Sequence, residues 1–395
     1  MFEAVIVDAV RTPIGRRKGS LAFTHPVDLL GDVLKQLLNR NGVDPVSVDD
    51  VLVGCVDQVG DQAANVGRNA WLSAGLPETV PAVTLDRQCG SSLQALQFAA
   101  QGVMSGAYGM VIAAGVESMT RVPMLSTIGF AGTPMTDDLL NRYRLDQWNR
   151  KFFDQALGAE MIAKQWGMTR EDLDRFGLRS HQLALAARQQ GVFEKEIISV
   201  RARVSEGSKE TRLFTEDEGI RPETTLAKMM SLAPAFADLE LITAGNASQI
   251  SDAASAALVM EKGLAERLGL RPRARFVAFS VVGVNPVTML TGPIPATKRV
   301  LQRAGLSIAD IDLFEVNEAF ASVVLAWQKE IGAAWDRVNV HGGAIALGHP
   351  LGATGTRLTA TLLNALETRN KRYGLMAICE GGGMANAAIL ERMES

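Results

Sequence analysis

The chain is poor in the residues that bind metals or form disulfides. Its 395 residues include three cysteines (Cys55, Cys89, Cys379) and four histidines (His25, His181, His341, His349). An odd cysteine count argues against a disulfide framework. No CxxC pair, HExxH helix or carboxylate-rich loop occurs, so no metal site is expected, and catalysis would fall to side chains and backbone amides. A net charge of -3 gives no basis for binding nucleic acid or an anionic membrane. No apolar run approaches the roughly 20 residues that span a bilayer. The opening Met1-Phe2-Glu3-Ala4-Val5 lacks the basic and apolar regions of a signal peptide, and the final residues are not a peroxisomal tripeptide. A cytoplasmic location is the expectation.

What is present reads as one pattern told twice. The chain is too long for one ordinary core, since roughly 100–200 residues per domain implies two or three. Residues 4–10 read as a buried strand, 28–40 as a helix, then Asn41-Gly42-Val43 and an acidic turn lead into the apolar stretch 48–54. The second half repeats this with a strand at 274–279, a helix at 297–303, Ala304-Gly305-Leu306 and the apolar stretch 308–316. Alternating β and α patterns of this kind favour mostly parallel sheets covered by helices. The expected fold is α/β, with two related halves packed face to face. Residues 121–244 interrupt the alternation at a length beyond any simple connection and read as an inserted loop or cap domain. The first half then comprises 1–120 with 245–271, and the second 272–395. Residues 247–260 read as the last helix and strand of the first half.

Four segments carry possible chemistry. Cys89 lies between the strand-like 82–86 and the helix-like 91–99. At such a turn, free N–H groups and the helix dipole favour a thiolate, and Gly90 lets backbone approach a substrate. His349 sits in Gly348-His349-Pro350-Leu351-Gly352-Ala353-Thr354-Gly355, a shaped loop before a helix at 356–366. There it could deprotonate a thiol or donate to a developing oxyanion. Cys379 ends an apolar strand and enters Glu380-Gly381-Gly382-Gly383, whose N–H groups could form an oxyanion hole. That thiol could serve as acid or base if its pKa were lowered. Asn317, in Asn317-Glu318-Ala319-Phe320, ends another strand, where it could hold water or orient a histidine. All four fit the strand ends where α/β folds place ligands. Cys55, within an apolar strand, and His25, His181 and His341 read as structural or surface residues.

These segments together resemble the thiolase family over nearly the whole chain. The resemblance rests on Cys89-Gly90-Ser91, Asn317-Glu318-Ala319-Phe320, Gly348-His349-Pro350 with Gly352 and Gly355, and Cys379 before Gly381-Gly382-Gly383. It implies a five-layer α/β/α/β/α sandwich, a homodimer or homotetramer, and acyl-CoA with CoA as substrates rather than cofactors. Carried onto this chain, Cys89 is the acylated nucleophile and His349 its activator and a donor to the thioester oxygen. Asn317 holds a water in that oxyanion hole, and Cys379 is the acid/base on acetyl-CoA and CoA. The N–H groups of Cys89 and Gly381 form a second hole. Ser248, Arg221 and Thr224 are implied contacts to CoA; Gln155, Met289, Leu290, Ala319 and Phe320 are further substrate contacts.

Three departures bear on substrate. Glu380 stands where many thiolases carry a small or apolar residue, and its charge could oppose a Cys379 thiolate. Leu290 stands where many biosynthetic acetoacetyl-CoA thiolases have glycine, and Gln155-Ala156 replaces their His-Met pair. These features resemble bacterial thiolases of steroid catabolism, so a degradative enzyme cleaving 3-ketoacyl-CoA is expected. The alternatives are a short-chain acetyl-CoA C-acetyltransferase, a ketoacyl synthase, which would lack Cys379, a cysteine hydrolase, and a non-catalytic acyl-CoA-binding relative, which would lack one of Cys89, His349 and Cys379.

Overall fold

The computed structural model describes residues 2–128 and 132–394. The chain opens with β1 (Ala4–Arg11), a two-residue β2 (Gly15–Arg16), α1 (Pro26–Arg40), β3 (Asp50–Gly54), α2 (Val66–Ser73), β4 (Ala82–Leu85), α3 (Ser91–Ser105) and β5 (Met110–Ser118). An excursion follows: α4 (Asp137–Tyr143), α5 (Gln155–Gln165), α6 (Arg170–Gln189), the hairpin β6 (Val200–Arg203) and β7 (Thr211–Phe214), and α7 (Leu226–Met230). The chain then returns through β8 (Ser251–Glu261) and α8 (Lys262–Arg267). The remainder comprises β9 (Ala274–Gly283), α9 (Pro293–Ala304), β10 (Leu313–Val316), α10 (Ala321–Ile331), α11 (Ala344–Leu347), α12 (Thr354–Thr368), β11 (Tyr373–Glu380) and β12 (Met384–Arg392).

Both halves use one strand order. In the first, β4-β3-β5-β8-β1 runs parallel across β4, β3 and β5 and antiparallel onward. In the second, β10-β11-β12-β9 is parallel, then antiparallel, and the strand matching β4 shrinks to one parallel bridge between Phe314 and Val338. The halves join at one edge through two antiparallel pairs, Val5 with Arg275 and Ile6 with Ala274.

Three apolar clusters define the layers. Leu30 and Leu34 of α1 and Trp71 of α2 cover one face of the first half-sheet. Val300 of α9 and Trp327 of α10 cover the outer face of the second. Between the half-sheets lie α3 and α12, with Leu93, Leu96, Leu358 and Leu362 packed against Val259, Met376 and Leu390. The excursion spreads over both halves: Ala159 of α5 and Leu173 of α6 join the second half's outer cluster, whereas Val200 and Phe214 join the first half's.

One expected element differs. Residues 247–260 hold no helix; β8 begins at Ser251 and is buried on both faces, and the helix α8 comes after it. Its run of alanines favours helix in isolation. Here the strand lies between β1 and β5 with helices on either side, and small side chains are what fit. Packing overrides propensity.

The central helices cross at their first turns. A Cβ on Gly355 would overlap the backbone nitrogen of Leu93 in α3, and one on Gly352 would lie 2.7 Å from Cys55 Cα and Gly54 O. Backbone meeting backbone leaves nothing flexible to yield. Gly355→Ala should therefore cost about 1–3 kcal/mol or more of stability, read as a lowered midpoint in denaturant unfolding. An unchanged midpoint would show that the two helices can separate freely.

Candidate active site

Cys89 sits on a tight turn between β4 and α3. Asp86 Oδ1 accepts from the Gln88 N–H at 2.6 Å. Ser91 Oγ accepts from the Arg87 N–H at 2.9 Å and donates to the Gln88 carbonyl at 2.6 Å. These bonds hold Gln88 at φ 49°, a left-handed conformation that costs a non-glycine residue of order 1–3 kcal/mol. The turn leaves Cys89 buried within reach of its own N–H and that of Gly381, and both favour the thiolate. Burial, with the negative charge of Glu380 second, outweighs them and pushes the thiol up to about 12. The expected lowering by the helix end is thus not met: α3 is capped by Gly90, one residue further on, and Cys89 is buried.

Cys379 is the penultimate residue of β11. Burial and the neighbouring Cys89 hold its thiol well above the ordinary range. The lowered pKa that would let it act near neutral pH by itself is absent, and Glu380 adds to the rise as its charge suggested. The two thiols are electrostatic neighbours, and at neutral pH both carry their protons.

His349 is buried, and burial followed by the Arg357 charge pushes it down to about 3. The imidazole is therefore neutral, and its partners indicate the tautomer. Thr354 Oγ1 donates to the Pro350 carbonyl at 2.9 Å, so its 2.7 Å contact with His349 Nδ1 is accepted from an Nδ1–H. Nε2 then carries the lone pair and accepts a long hydrogen bond from Asn317 Nδ2 at 3.4 Å. Nε2 can thus take a thiol proton and afterwards donate it to an oxyanion. Asn317 Oδ1 is buried and has no protein donor.

Buried acceptors strap these loops in place. Glu117 of β5 accepts from the N–H groups of Val56 (3.0 Å), Asp57 (3.2 Å) and Gly352 (2.8 Å) and from Gln62 Nε2 (2.8 Å). Glu318 accepts from Ser180 Oγ, Asn339 Nδ2 and the Ile345 N–H. Gln249 O accepts from the His349 N–H at 3.1 Å, while Gln249 Nε2 binds three carbonyls, including Gly219. Neither glutamate nor Thr354 was singled out in the sequence. The one available signal was Thr354 five residues beyond His349, at the start of a helix.

A cleft of about 320 Å³ abuts this scaffold, with Gln249 and Ile345 in its wall. Arg221 and Thr224 line it, as do Lys228 and His181. His181, read as structural or surface from the sequence, accepts the Arg221 N–H through Nδ1 at 3.2 Å, and burial pushes it down to about 4. Ser248 flanks the cleft between Gly245 and Gln249, and its N–H donates to Ala319 O at 2.9 Å; an adjacent bridge joins Ala247 to Phe320. Ser248, Ala319 and Phe320 thus form a strip between cleft and Asn317. Gln155 is the first residue of α5, half-buried. Met289 and Leu290 lie buried in the outer cluster that also holds Cys379, so Leu290 presents no open apolar wall. His25 caps α1, and Cys55 Sγ lies 3.9 Å from Glu117 Oε1.

Residues 4–263 match the family model for the thiolase N-terminal domain, and residues 270–392 the model for the thiolase C-terminal domain. The chain is 49% identical to a steroid 3-ketoacyl-CoA thiolase of Mycobacterium tuberculosis, over 100% of this chain and 95% of that one. It is 42% identical to a 3-ketoacyl-CoA thiolase of Bacillus subtilis, over 99% and 100%. The crystal structure of an acetyl-CoA acetyltransferase from Bacillus anthracis superposes with a TM-score of 0.90 at 37% identity, covering 100% of this chain and 99% of that one. With both family models spanning nearly all of the chain, and with the strand order repeated around paired thiols, the protein belongs to the thiolase family.

Proposed function

We propose that the protein is a degradative thiolase, cleaving a 3-ketoacyl-CoA with CoA to acetyl-CoA and a shortened acyl-CoA through an acyl-Cys89 intermediate. The observation that carries this reading is the pair of buried thiols, Cys89 and Cys379, sharing one site with the Gly381 N–H. Breaking the C2–C3 bond needs a nucleophile at C3 and a separate proton donor for C2. The names of the Mycobacterium and Bacillus subtilis relatives favour cleavage of 3-ketoacyl-CoA over short-chain acetyl transfer.

In this mechanism Cys89 passes its proton to His349 Nε2 as Sγ attacks the C3 carbonyl. His349 Nε2–H and a water held by Asn317 donate to one carbonyl oxygen, and the Cys89 and Gly381 N–H groups to the other. The C2–C3 bond breaks, and its electron pair leaves as the acetyl-CoA enolate, which takes its proton from Cys379. Cys379, now a thiolate, deprotonates incoming CoA; the CoA sulfur attacks the thioester, and Cys89 leaves with the proton from His349. The raised Cys379 thiol suits this cycle, being loaded as an acid before cleavage and strongly basic after it. CoA would lie in the cleft against Arg221, Thr224 and Ser248, and it is consumed as a substrate.

Acyl-CoA followed by peptide mass spectrometry should place the acyl group on Cys89. Cys379→Ala should still be acylated by a simple acyl-CoA while cleavage falls about 10²–10⁴-fold, the usual cost of one general acid/base. An adduct mainly on Cys55, or near-normal cleavage by the variant, would remove these roles.

The reading of a substrate larger than acetoacetyl-CoA rests on the name of the Mycobacterium relative and on the absence of a histidine at 155, since Leu290 is buried and offers no open wall. The expected outcome is a kcat/KM higher for medium-chain or ring-bearing 3-ketoacyl-CoA than for acetoacetyl-CoA. Each further methylene buried is worth about 0.8 kcal/mol, close to fourfold, so a few decide the preference. A clear preference for acetoacetyl-CoA would leave a short-chain acetyltransferase.

A homodimer or homotetramer is part of the same reading. Strand β4 has an unpaired edge among the described residues, and Val83 on it and Phe98 nearby on α3 are 44% and 46% exposed. Such an edge invites pairing with a second copy. Sedimentation equilibrium should give at least twice the chain mass, and Val83→Glu should weaken the association; a monomeric wild type would sink this part.

A further inference from the structure

Glu380 lies one residue beyond Cys379 on β11, so its side chain takes the opposite face of the strand. Cys379 faces the outer cluster, and Glu380 turns toward the N-terminus of α3. A Cβ built on Gly90 would overlap Glu380 Oε1 and would lie 2.8 Å from both Nδ2 and Oδ1 of Asn386. The carboxyl and the amide therefore meet directly over the residue that follows the nucleophile. Glu380 is fully buried, yet neither of its oxygens has a protein partner among the described residues. No step of the mechanism uses it.

The surrounding groups say which form of this carboxyl fits. Asn386 Nδ2 donates to the Gly90 carbonyl at 2.9 Å, which fixes the amide with Oδ1 as its free end. Oδ1 is itself buried without a donor, as is Gln94 Oε1 on the next turn of α3. An ionised carboxylate would be favoured by one neighbour, Arg87, whose Nε is buried without a partner among the described residues, but it would leave Asn386 Oδ1 without a donor. A neutral carboxyl brings an O–H that Asn386 Oδ1 can accept, so the arrangement is built for the protonated acid.

We propose that Glu380 is a positioning residue for the nucleophile: its neutral carboxyl supports the Gly90–Asn386 junction behind Cys89, and its ionisation holds the proton on Cys89 and closes the enzyme at alkaline pH. The inference rests on Cys89 being the nucleophile. Burial raises the Glu380 carboxyl to about 8, with Arg87 pulling it down and Asp86 adding to the rise. The sign follows. Below that pH the residue is neutral; above it, a negative charge faces Cys89 and Cys379, and both thiols become harder to ionise. The other titratable groups near the nucleophile differ in timing: His349 is neutral throughout, Cys379 stays protonated, and Glu117 is raised to about 7. β12 meets Glu380 with the Asn386 amide, and the turn before α3 brings the charges of Arg87 and Asp86 to it.

The test reads thiolate directly, without substrate. The rate of Cys89 alkylation by iodoacetamide is followed by peptide mass spectrometry between about pH 6 and pH 10, in the full-length wild type and in Glu380→Gln. An isolated thiol gains about tenfold in rate per pH unit below its pKa. The wild type should follow that slope, flatten near pH 8, and resume only at higher pH. Glu380→Gln, locked in the neutral form, should climb without the break and exceed the wild type about tenfold or more at the alkaline end. A wild-type profile with no break overturns the proposal even if the variant fails to fold. A break that survives in Glu380→Gln also overturns it, and assigns the effect to Glu117. Failure of the nucleophile assignment is separately visible, as an acyl-CoA adduct that forms on a cysteine other than Cys89.

Discussion

The approach of α3 to α12 is the constraint on which the rest depends. Two helices ordinarily pack with axes 8–10 Å apart, a spacing set by their side chains. Here the first turn of α12 meets α3 backbone to backbone, because Gly355 offers no side chain to Leu93. Gly352, just before, rests on Gly54 and Cys55 in the same manner, while its N–H goes to Glu117. The histidine loop of one half is thereby fastened to the strand ends of the other. Cys89 precedes one of these helices and His349 the other, so this backbone contact ties together the two loops that carry them.

Duplication explains why the chemical groups lie where they do. Gly54 pairs with Gly115 in the first half, and Val316 pairs with Ala377 in the second. One residue past Gly54 is Cys55; one past Val316 is Asn317. Two residues past Gly115 is Glu117; two past Ala377 is Cys379. Cys89 and His349 likewise occupy the same connection in the two halves, ahead of α3 and α12. Each half supplies one member of the nucleophile–base pair. At the other two positions the second half carries the residues given chemical roles in the proposed mechanism, Asn317 and Cys379, and the first half carries Cys55 and the strap Glu117. A buried cysteine and a buried glutamate that look like spare catalysts are the structural counterparts of working ones.

Much of this was legible in the sequence because it rests on local pattern. The turn residues around Gly42 and Gly305 mark two helix ends, and the structure places both at φ above +60°. The strand–Cys–Gly–helix order around Cys89 survives intact. What failed depended on neighbours far along the chain. Alanines in β8 read as helix because nothing local reveals a strand enclosed on both faces. Cys89 read as favouring a thiolate because a helix terminus is visible in sequence and desolvation is not. His181 joined the cleft wall only when residues 40 positions apart came together. Glu117 and Glu318 were passed over because an isolated glutamate does not reveal the backbone N–H groups that surround it.

Desolvation, the term hidden from sequence, also decides how the site can work. A thiol raised to about 12 beside an imidazole lowered to about 3 cannot rest as an ion pair. The neutral pair is the ground state, and charge appears only when a carbonyl oxygen arrives to carry it. Donors aimed at that oxygen then act where few waters compete, and they do not need to reorient during the reaction. In the proposed mechanism, proton transfer from Cys89 to His349 is therefore coupled to attack, not completed beforehand. A free thiolate in an empty site would be open to oxidants and alkylating agents, whereas a thiol that ionises only against bound substrate is protected between turnovers. The penalty that burial imposes on the resting thiol slows its reaction with such agents, and in the proposed mechanism bound substrate offsets that penalty.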